Sequence, residues 1–352
     1  MPLGVISLYG KSGVGCAWFL RYSHILALFL LNIGLPSSTD PPDKKQMFQF
    51  IACTLLLFGL ALTEPMAHAG PKSDWPYVAK RLKAGGFKPQ FIKALRENYA
   101  DENFLQVLEL NTLLFLKKSD YHGPQVDTAA AEDVRNFMRA HSSPLRKVQK
   151  KFGVPGPVVA SLLWLESRHG KADGNFHVPS AFLTLLQADR PAVVKHLHTA
   201  ALRYTPVITG KVKKDIGART KKRVKWAMEE LKAIEKMYRH DRRVVSELRG
   251  SFAGAFGMPQ FIPSSYVSYA IAAEKRAVAD LETAPDAIYS VANYLHKSGW
   301  RSGKGKTYVK ALMKYNNSHD YASAILQLAE QSSATGKDSF KRTPAGTKAK
   351  AR

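Results

Sequence analysis

The chain has 352 residues, of which 45% are hydrophobic and 23% charged, as in an ordinary globular protein. Its net charge of +24 is the unusual value, and it fits a solvated basic surface or a polyanionic partner such as nucleic acid, anionic lipid or an acidic cell-wall polymer. Both cysteines, Cys16 and Cys53, lie near the N-terminus. Removal of that part of the chain would exclude a disulfide and thiolate catalysis.

Two apolar runs, Cys16–Leu35 and Phe48–Leu62, open the chain, and a polar, proline-rich stretch separates them. The second run resembles the apolar region of a secretory signal peptide, because Ala67-His68-Ala69 supplies an A-x-A cleavage site after it. We therefore interpret residues 1–69 as a leader that contains a signal peptide, with cleavage after Ala69. The charges of the leader nearly balance, so the basic character belongs to the remainder of the chain.

The start of this leader has more than one interpretation. The preferred one takes Met47 as the true start codon, which leaves the two lysines before it outside the signal. One alternative is a membrane anchor made of the first apolar run. Another is lipidation at Cys53, which the short apolar lead-in disfavours. Membrane association through the N-terminus is therefore left open.

Residues 70–151 are predicted to form an N-terminal region of short helices. Phe104–Lys117 is apolar and fits a strand as well as a helix. Ser142-Ser143-Pro144 is expected to end one helix before the next one starts at Leu145. The predicted helices are Trp75–Lys83, Lys88–Tyr99, Thr128–His141 and Leu145–Lys151.

Phe152–Gly170 predicts a helix that is apolar on nearly every side and carries one carboxylate, Glu166. Prolines suit its start and a glycine suits its end. Burial disfavours the charged form, which makes Glu166 a candidate acid that is protonated near neutral pH. The competing interpretation is an ion pair with Arg168 or His169, and the helix alone does not decide between the two.

Arg190–Val245 predicts a long, strongly basic helical region, which we treat as an insertion over about residues 190–249. We interpret its charges as a solvated helix face, because single-strand binders interleave aromatic side chains with the charges. Zinc-finger spacing and RNA-binding motifs are also missing, so we predict no nucleic-acid partner. The clustered charges are Lys211, Lys213, Lys214, Arg219, Lys221, Lys222, Arg223 and Lys225.

Gly250–Tyr266, GSFAGAFGMPQFIPSSY, combines glycines, small residues and aromatics, which is typical of a backbone that approaches another group closely. A glycine-rich turn is the plainer alternative. Residues 331–352 have few apolar side chains and predict a disordered basic tail. Because we find no repeat and no strong strand alternation, the fold is predicted to be mainly α. The remaining predicted elements are a short apolar segment at Val178–Leu186 and helices at Pro285–Ser298, Thr307–Met313 and Ser323–Glu330.

Four blocks occur in a fixed order: FGVP…ES-x-x-G, GSFAGAFGMPQFIPSSY, DAIYSVANYL-x-x-x-GW and YNNS-x-x-YA. Together they resemble the membrane-bound lytic murein transglycosylase B family over about Phe152–Glu330, and the second block is the most specific. The resemblance implies a mainly α fold with a lysozyme-like catalytic core over residues 152–330 and additional helical subdomains. It also implies cleavage of the β-1,4 bond between N-acetylmuramic acid and N-acetylglucosamine in peptidoglycan, with formation of a 1,6-anhydro ring.

The resemblance assigns Glu166 as the catalytic residue, acting first as an acid and then as a base. The N-acetyl group and the C6 hydroxyl of the sugar would replace the second carboxylate that most glycosidases need. Ser251 and Gln260 match polar residues beside the glutamate, which orient it or hold the N-acetyl group. The residues that match the sugar subsites are Tyr294, Tyr315, Asn316, Tyr321 and, upstream, Tyr121.

The chain departs from the usual pattern of this family in the first block, where Ser167 and His169 replace a threonine and an aromatic residue. Family members often carry an EF-hand-like calcium loop after the SSY segment. The corresponding stretch, Ala270–Ile288, has carboxylates whose spacing does not fit that loop. We therefore predict no metal ion and no cofactor.

The expected partner is thus the peptidoglycan glycan strand, and the expected location is the periplasm, with other cell-wall enzymes as conceivable partners. Three alternatives compete with a lytic transglycosylase: a non-catalytic peptidoglycan-binding scaffold, a lysozyme-type hydrolase that uses water, and a basic nucleic-acid binder. The joint presence of Glu166, Ser251 and Gln260 argues against the scaffold. A secretory signal argues against the nucleic-acid binder.

Overall fold

The structure, a computed structural model, describes residues 70–117, 126–172 and 174–333. These residues belong to one compact unit. The predictions for the leader, for Tyr121 and for the tail beyond Ser333 lie outside the described residues.

The first half of the described chain contains six helices and one 3-10 turn. Phe104–Lys117, which fitted a strand or a helix, is helical because its buried side chains recur every three or four residues. The helices are α1 (Trp75–Ala84), α2 (Pro89–Glu97), α3 (Phe104–Leu113), the 3-10 turn Leu114–Leu116, α4 (Thr128–Ala140), α5 (Ser142–Phe152) and α6 (Gly156–Ser167).

The expected break at Ser142-Ser143-Pro144 is wrong. These residues form the first turn of α5, and only His141 separates that helix from α4. Proline is tolerated there because the first-turn N–H groups have no partner within the helix in any case. Phe152 closes α5, so the helix that carries Glu166 starts four residues later than predicted, at Gly156.

The second half is also helical, with one two-stranded sheet. Phe176 in β1 lies opposite Gly250 in the antiparallel β2. The predicted basic region forms three helices and a 3-10 turn, and α9 is the longest helix with 29 residues. The elements are β1 (Phe176–His177), α7 (Val178–Leu185), α8 (Pro191–Ala200), the 3-10 turn Ala201–Arg203, α9 (Gly210–Tyr238), α10 (Val244–Glu247), β2 (Arg249–Gly250), α11 (Pro263–Tyr269), α12 (Ala284–Lys297), α13 (Lys306–Tyr315) and α14 (His319–Ser332).

Helix α6 lies at the centre of the core, as its apolar sequence predicts. Helices α4, α5, α12 and α14 all pack against it, and Leu162 and Leu163 are completely buried. A helix enclosed in this way is positioned by packing on several sides, so a side chain in its last turn has a fixed direction. That last turn carries Glu166.

The start of α6 is tied to the end of α12. The Trp300 ring N–H donates to the Gly153 carbonyl at 3.1 Å, and His296 Nδ1 bonds the Phe152 carbonyl at 3.0 Å. Trp300 is 1% exposed, so this contact belongs to the core. The GW pair of the third sequence block therefore holds the FGVP segment of the first block.

No helix in the described ranges is long and apolar enough to cross a membrane.

Candidate active site

Glu166 is a partly exposed carboxylate in the last turn of α6. The Tyr321 hydroxyl, near the start of α14, donates a hydrogen bond to Glu166 Oε1. Burial raises the pKa of Glu166 to about 7, and the Tyr321 hydrogen bond opposes that shift. Neither cause is a neighbouring charge among the described residues, so Glu166 behaves as an isolated carboxylic acid.

The ion pair considered as an alternative for Glu166 is not formed in the described part of the chain. The Arg168 guanidinium lies over the Trp164 ring, with Cζ 3.4 Å from the ring centre. His169 Nε2 bonds the Ala160 carbonyl at 3.0 Å. Both candidate partners are therefore engaged elsewhere, which leaves the carboxylate with one hydrogen bond from a tyrosine.

The two departures in the first block keep the chemistry of the side chains they replace. Ser167 supplies a hydroxyl as threonine would: Oγ donates to the Met258 carbonyl at 2.7 Å and accepts from the Gly170 N–H at 2.8 Å. His169 supplies a flat ring, stacked on Phe137 at 4.0 Å and 9°. Burial lowers the pKa of His169 to about 4, so the ring is neutral at pH 7.

The backbone is left-handed directly after the glutamate helix and in the Gln260 turn. Arg168 (φ 53°), His169 (φ 58°) and Gln260 (φ 50°) are the non-glycine residues with positive φ in the described ranges. Such backbone costs about 1 kcal/mol or more per residue and persists where surrounding contacts fix it. Arg168 and His169 end α6 at Ser167, three residues before Gly170. Gln260 lies two residues after Met258, whose carbonyl Ser167 contacts.

Glycines let the GSFAGAFG segment fold tightly beside α6. Gly254 and Gly257 have φ of +76° and +68°, and a Cβ would overlap the Phe182 ring at the first and Leu281 at the second. Ser251 lies in this turn, where its Oγ accepts N–H groups of Ala253 and Ala255 at 3.3 and 3.1 Å. The expected close backbone approach is thus present, and here the neighbours are side chains of the protein itself.

The turn that carries Gln260 is held between two helices. On one side Ser167 of α6 bonds the Met258 carbonyl, and on the other the Tyr315 hydroxyl of α13 donates to the Pro259 carbonyl. Gln260 is partly exposed, and its Nε2 donates to the Gly257 carbonyl at 3.0 Å. Contacts from the first and last sequence blocks therefore fix the position of this residue.

Three of the predicted tyrosines are brought together. The Tyr315 ring lies 4.7 Å from Tyr294 and 6.4 Å from Tyr321, nearly parallel to the latter. Tyr294 is 9% exposed and its hydroxyl donates to the Lys314 carbonyl at 2.6 Å, so it supports the cluster from the core. Asn316 is exposed directly after α13, while Tyr121 lies outside the described residues.

Sequence reasoning missed two contacts. Trp164 Nε1 donates to Asp133 Oδ2 at 3.1 Å, which fixes the ring under Arg168. Tyr321 was matched to a sugar subsite, but its hydroxyl contacts Glu166 directly. The YNNS-x-x-YA block marked this tyrosine as important, although nothing in the spacing identified the glutamate as its partner.

In the stretch considered for calcium, a carboxylate, Asp286, pairs with the side chain of Arg276. Asp286 is fully buried and accepts N–H groups of Ala273 and Asp280 at 2.8 and 2.7 Å, while Arg276 bonds its second oxygen at 2.8 Å. Among the described residues, no group of three or more His, Cys, Asp or Glu side chains is arranged to hold a metal ion. The absence of a metal stays a prediction.

Comparison with known proteins decides the family. Residues 72–309 match the family described as "Transglycosylase SLT domain", which is more than half of the chain. The chain belongs to this SLT domain family. The match includes Glu166, Ser251, Gln260 and Tyr294, and it ends before the YNNS-x-x-YA block.

One curated relative of this SLT protein is the membrane-bound lytic murein transglycosylase B of Escherichia coli (strain K12). The two are 28% identical over 167 residues, which are 47% of this chain and 38% of the relative. The chain therefore spans about two fifths of the length of the curated relative it matches.

Solved structures share the fold of the SLT protein. Soluble lytic transglycosylase SltB1 from Pseudomonas aeruginosa matches with a TM-score of 0.54 and 19% identity, over 73% of this chain and 97% of that one. Escherichia coli Slt35 in complex with bulgecin A matches with a TM-score of 0.52 and 19% identity, over 73% of this chain and 91% of that one. SltB3 from P. aeruginosa in complex with NAG-anhNAM-pentapeptide matches with a TM-score of 0.55 and 20% identity, over 74% of this chain and 79% of that one. The predicted mainly α, lysozyme-like fold is confirmed.

Proposed function

We propose that this chain is a lytic transglycosylase that remodels peptidoglycan. It cleaves the β-1,4 bond between N-acetylmuramic acid and N-acetylglucosamine and forms 1,6-anhydromuramic acid. The observation that carries the proposal is the lone carboxyl group of Glu166, whose pKa is raised to about 7 by burial with no neighbouring charge among the described residues. Membership of the SLT domain family and the SltB3 complexes with NAG-NAM-pentapeptide and NAG-anhNAM-pentapeptide support it.

In the first step Glu166 is the general acid. At pH 7 a carboxyl group with a pKa of about 7 is protonated in roughly half of the molecules, while an ordinary glutamate is almost fully ionised. Tyr321 donates to Oε1, which leaves Oε2 to carry the proton. Glu166 delivers that proton to the glycosidic oxygen as the bond to muramic acid C1 breaks. The N-acetyl group of the same sugar stabilises the positive centre that develops.

In the second step the ionised Glu166 is the general base. It takes the proton from the C6 hydroxyl of the muramic acid, whose oxygen then bonds C1 and closes the 1,6-anhydro ring. Glu166 is protonated again at the end of the cycle. Because nucleophile and electrophile belong to one sugar, ring closure has the entropic advantage of an intramolecular reaction over attack by water.

The polar and aromatic neighbours position the substrate and the acid. Gln260 and Ser251 orient the glutamate or hold the N-acetyl group, and the turn fixed by Ser167 and Tyr315 supports this role for Gln260. Tyr315 is partly exposed and offers an aromatic face for sugar C–H surfaces. The Tyr321 ring is 6% exposed, so its part in the site is the hydroxyl that it presents to Glu166. Asn316 and Tyr121 are also proposed for the sugar subsites, and Tyr294, matched to a subsite by its sequence block, would contribute there by supporting the Tyr315 ring from the core.

The deciding experiment is mass spectrometry of the products released from purified sacculi. We expect muropeptides with 1,6-anhydromuramic acid. Products heavier by one water, with reducing ends, would instead assign the chain to lysozyme-type hydrolases. Sedimentation with sacculi without any released product would assign it to non-catalytic scaffolds.

The variant Glu166→Gln tests the role of the acid. We expect a loss of activity on the order of a thousandfold, since general acid–base catalysis contributes about 10²–10⁴. Glu97→Gln is the matched control, because Glu97 is an exposed carboxylate at the end of α2. Undiminished product release by Glu166→Gln would remove Glu166 from the mechanism.

The remaining proposals concern location and layout. The A-x-A site at Ala67-His68-Ala69 supports export to the periplasm, and the apolar N-terminal runs support membrane association through the N-terminus. We also propose a helical N-terminal region over 70–151 and a catalytic region over 152–330 with its basic insertion. N-terminal sequencing of the exported protein tests the cleavage after Ala69.

A further inference from the structure

Helix α9 carries a row of lysines that the proposed glycan chemistry does not use. Their spacings are three, four or seven residues, apart from the adjacent Lys221 and Lys222, and at 3.6 residues per turn all seven fall within about 100° of arc on one side of the helix. Each is exposed. From first to last the row spans about 38 Å at a rise of 1.5 Å per residue. We name this row the lysine stripe, which consists of Lys211, Lys214, Lys221, Lys222, Lys225, Lys232 and Lys236.

The charges of the lysine stripe are largely uncompensated. Lys211 pairs with Asp215 at 3.1 Å, and the other six lysines form no ion pair within the described residues. One exposed acid, Glu229, lies in line with them. The opposite side of the helix is buried, and Ile216 and Leu231 on it are fully enclosed. The apolar side therefore packs α9 into the core, and the lysines are not needed for that packing. Lysines gathered on one exposed face with only the carboxylates of Asp215 and Glu229 repel one another, and an external anion relieves that repulsion.

The arginines of the same helix have structural partners. The Arg219 guanidinium lies 3.9 Å from the centre of the Phe115 ring, and Arg223 Nε donates to the Asn111 carbonyl at 2.9 Å. They fix the end of α3 and the following 3-10 turn against α9. The lysines are therefore the cations of this helix that face solvent without a structural task.

Exposed apolar side chains adjoin the basic end of α9. The described ranges contain four exposed large hydrophobic residues, and Leu202 (53%) and Val207 (61%) are the most exposed of them. Both precede Thr209, which caps α9. Leu114, 40% exposed, lies next to the Phe115 ring that Arg219 covers. Three of the four thus lie in segments that lead into α9 or contact its basic half.

Lysines beside exposed aliphatic side chains suit a lipid surface better than a soluble polyanion. Anionic headgroups attract lysines, and aliphatic side chains gain by entering the acyl boundary, whereas a dissolved polymer uses only the charges. We propose that the lysine stripe, with Leu202 and Val207, binds the anionic headgroups of a lipid bilayer. This contact is independent of the leader and does not rest on the proposed enzymatic function.

Vesicle sedimentation of the full chain tests the charged part of the surface. Vesicles of phosphatidylcholine with about a third phosphatidylglycerol are compared with pure phosphatidylcholine, so that binding by the apolar N-terminal runs appears in both. We expect the chain to prefer the anionic vesicles. Changing Lys214, Lys221, Lys222 and Lys225 to Gln should reduce that preference by at least about tenfold, because it removes four of the charges that the headgroups attract.

The matched control removes the same charge elsewhere, by changing the exposed Lys80, Lys83, Lys147 and Lys150 to Gln. It should keep most of the preference for anionic vesicles. Equal losses in both quadruple variants would overturn the proposal, because net charge and no particular surface would then explain binding. An unchanged preference in the α9 variant would overturn it as well.

The apolar residues separate a bilayer from a soluble polyanion. Leu202→Ser with Val207→Ser should weaken binding to anionic vesicles several-fold and leave retention on heparin unchanged. Unchanged vesicle binding in this double variant, with heparin retention that depends on the α9 lysines, would make the surface a polyanion site and contradict the lipid assignment. Both substituted positions are exposed, so thermal melting should match the wild type.

Discussion

Glu166 and Glu230 are both largely shielded from water, and their different surroundings separate the proposed acid from a structural anchor. Glu230 on α9 is 2% exposed and accepts the Ser264 N–H and the Ser264 hydroxyl, each at 2.8 Å. Glu166 is more exposed, yet it accepts one hydrogen bond, from Tyr321. Burial is the largest cause that raises the pKa of each.

The number of donors decides what each carboxylate can do. Hydrogen bonds to a carboxylate favour its ionised form, and Glu230 receives them from Ser264 and also from Trp226. Its oxygens serve the start of α11 and are closed to a substrate. Glu166 combines burial with a single donor and some exposure, which favours a proton on a group that is partly open to solvent. Burial alone therefore does not identify a catalytic acid.

Among the tests that compare Glu166 with Glu230, the pH dependence of activity should show the largest effect. Since the proposed first step needs protonated Glu166, the rate of muropeptide release should fall on the order of fiftyfold between pH 7 and pH 9, for a pKa of about 7. Initial rates on sacculi between pH 7 and pH 9 measure this alkaline limb of the pH profile. Glu230→Gln should show the same limb, and a rate that stays level up to pH 9 would contradict the assignment of Glu166 as the acid.

Stability should respond most to Glu230. Glu230→Ala leaves the Ser264 N–H and hydroxyl without their acceptor at the start of α11, so we expect a decrease of about 2–3 kcal/mol in the free energy of unfolding. Urea denaturation measures it. The neighbouring exposed Glu229→Ala should change stability by less than about 0.5 kcal/mol. Equal effects at the two positions would show that the Ser264 contacts contribute nothing.

Glu166 should have the opposite effect on stability. Its pKa is raised from 4.5 to about 7, so folding favours the protonated form. The wild type keeps this contribution below pH 4.5 and loses it as the pH rises through 7. Glu166→Gln stays neutral and should therefore be more stable than the wild type by about 2 kcal/mol at pH 8.5, after allowance for partial exposure. The difference should vanish at pH 4, and a variant less stable at pH 8.5 would contradict the raised pKa.

Much of the fold was readable from local patterns. The apolar run of α6 predicted a buried helix, and α6 lies at the centre of the core because every face of it is apolar. The ends of helices were less accurate. Ser142–Pro144 reads as a break, but the first turn of a helix accepts proline. Gly170 reads as the helix end, but tertiary contacts hold Arg168 and His169 in the left-handed conformation first.

The candidate site was readable only as separate blocks. Its contacts join distant segments: Trp300 bonds Gly153, Tyr315 bonds Pro259, and Tyr321 bonds Glu166 across 155 residues. Helical periodicity reports which face of a helix is buried and carries no information about which distant side chain covers it. Family resemblance named the residues, and only the packing shows that one tyrosine tunes the glutamate.

The tyrosine gives the smallest and most specific test. The Tyr321 hydroxyl lowers the pKa of Glu166, so Tyr321→Phe should raise it and move the alkaline limb of activity upward by up to about one pH unit. The pH profile of muropeptide release measures the shift. The rate at pH 6, where Glu166 is protonated in either protein, should change much less than the rate at pH 8.

Tyr315→Phe is the control, because its hydroxyl donates to the Pro259 carbonyl and its ring lies in the same cluster. Tyr315→Phe should change the rate of muropeptide release, because it loosens the turn that carries Gln260, but it should not shift the alkaline limb of the pH profile. A downward shift for Tyr321→Phe would mean that the hydroxyl stabilises the protonated acid, which reverses the role derived from its hydrogen bond. Equal shifts in both variants would show that the aromatic cluster as a whole, and not one donor, keeps Glu166 different from Glu230.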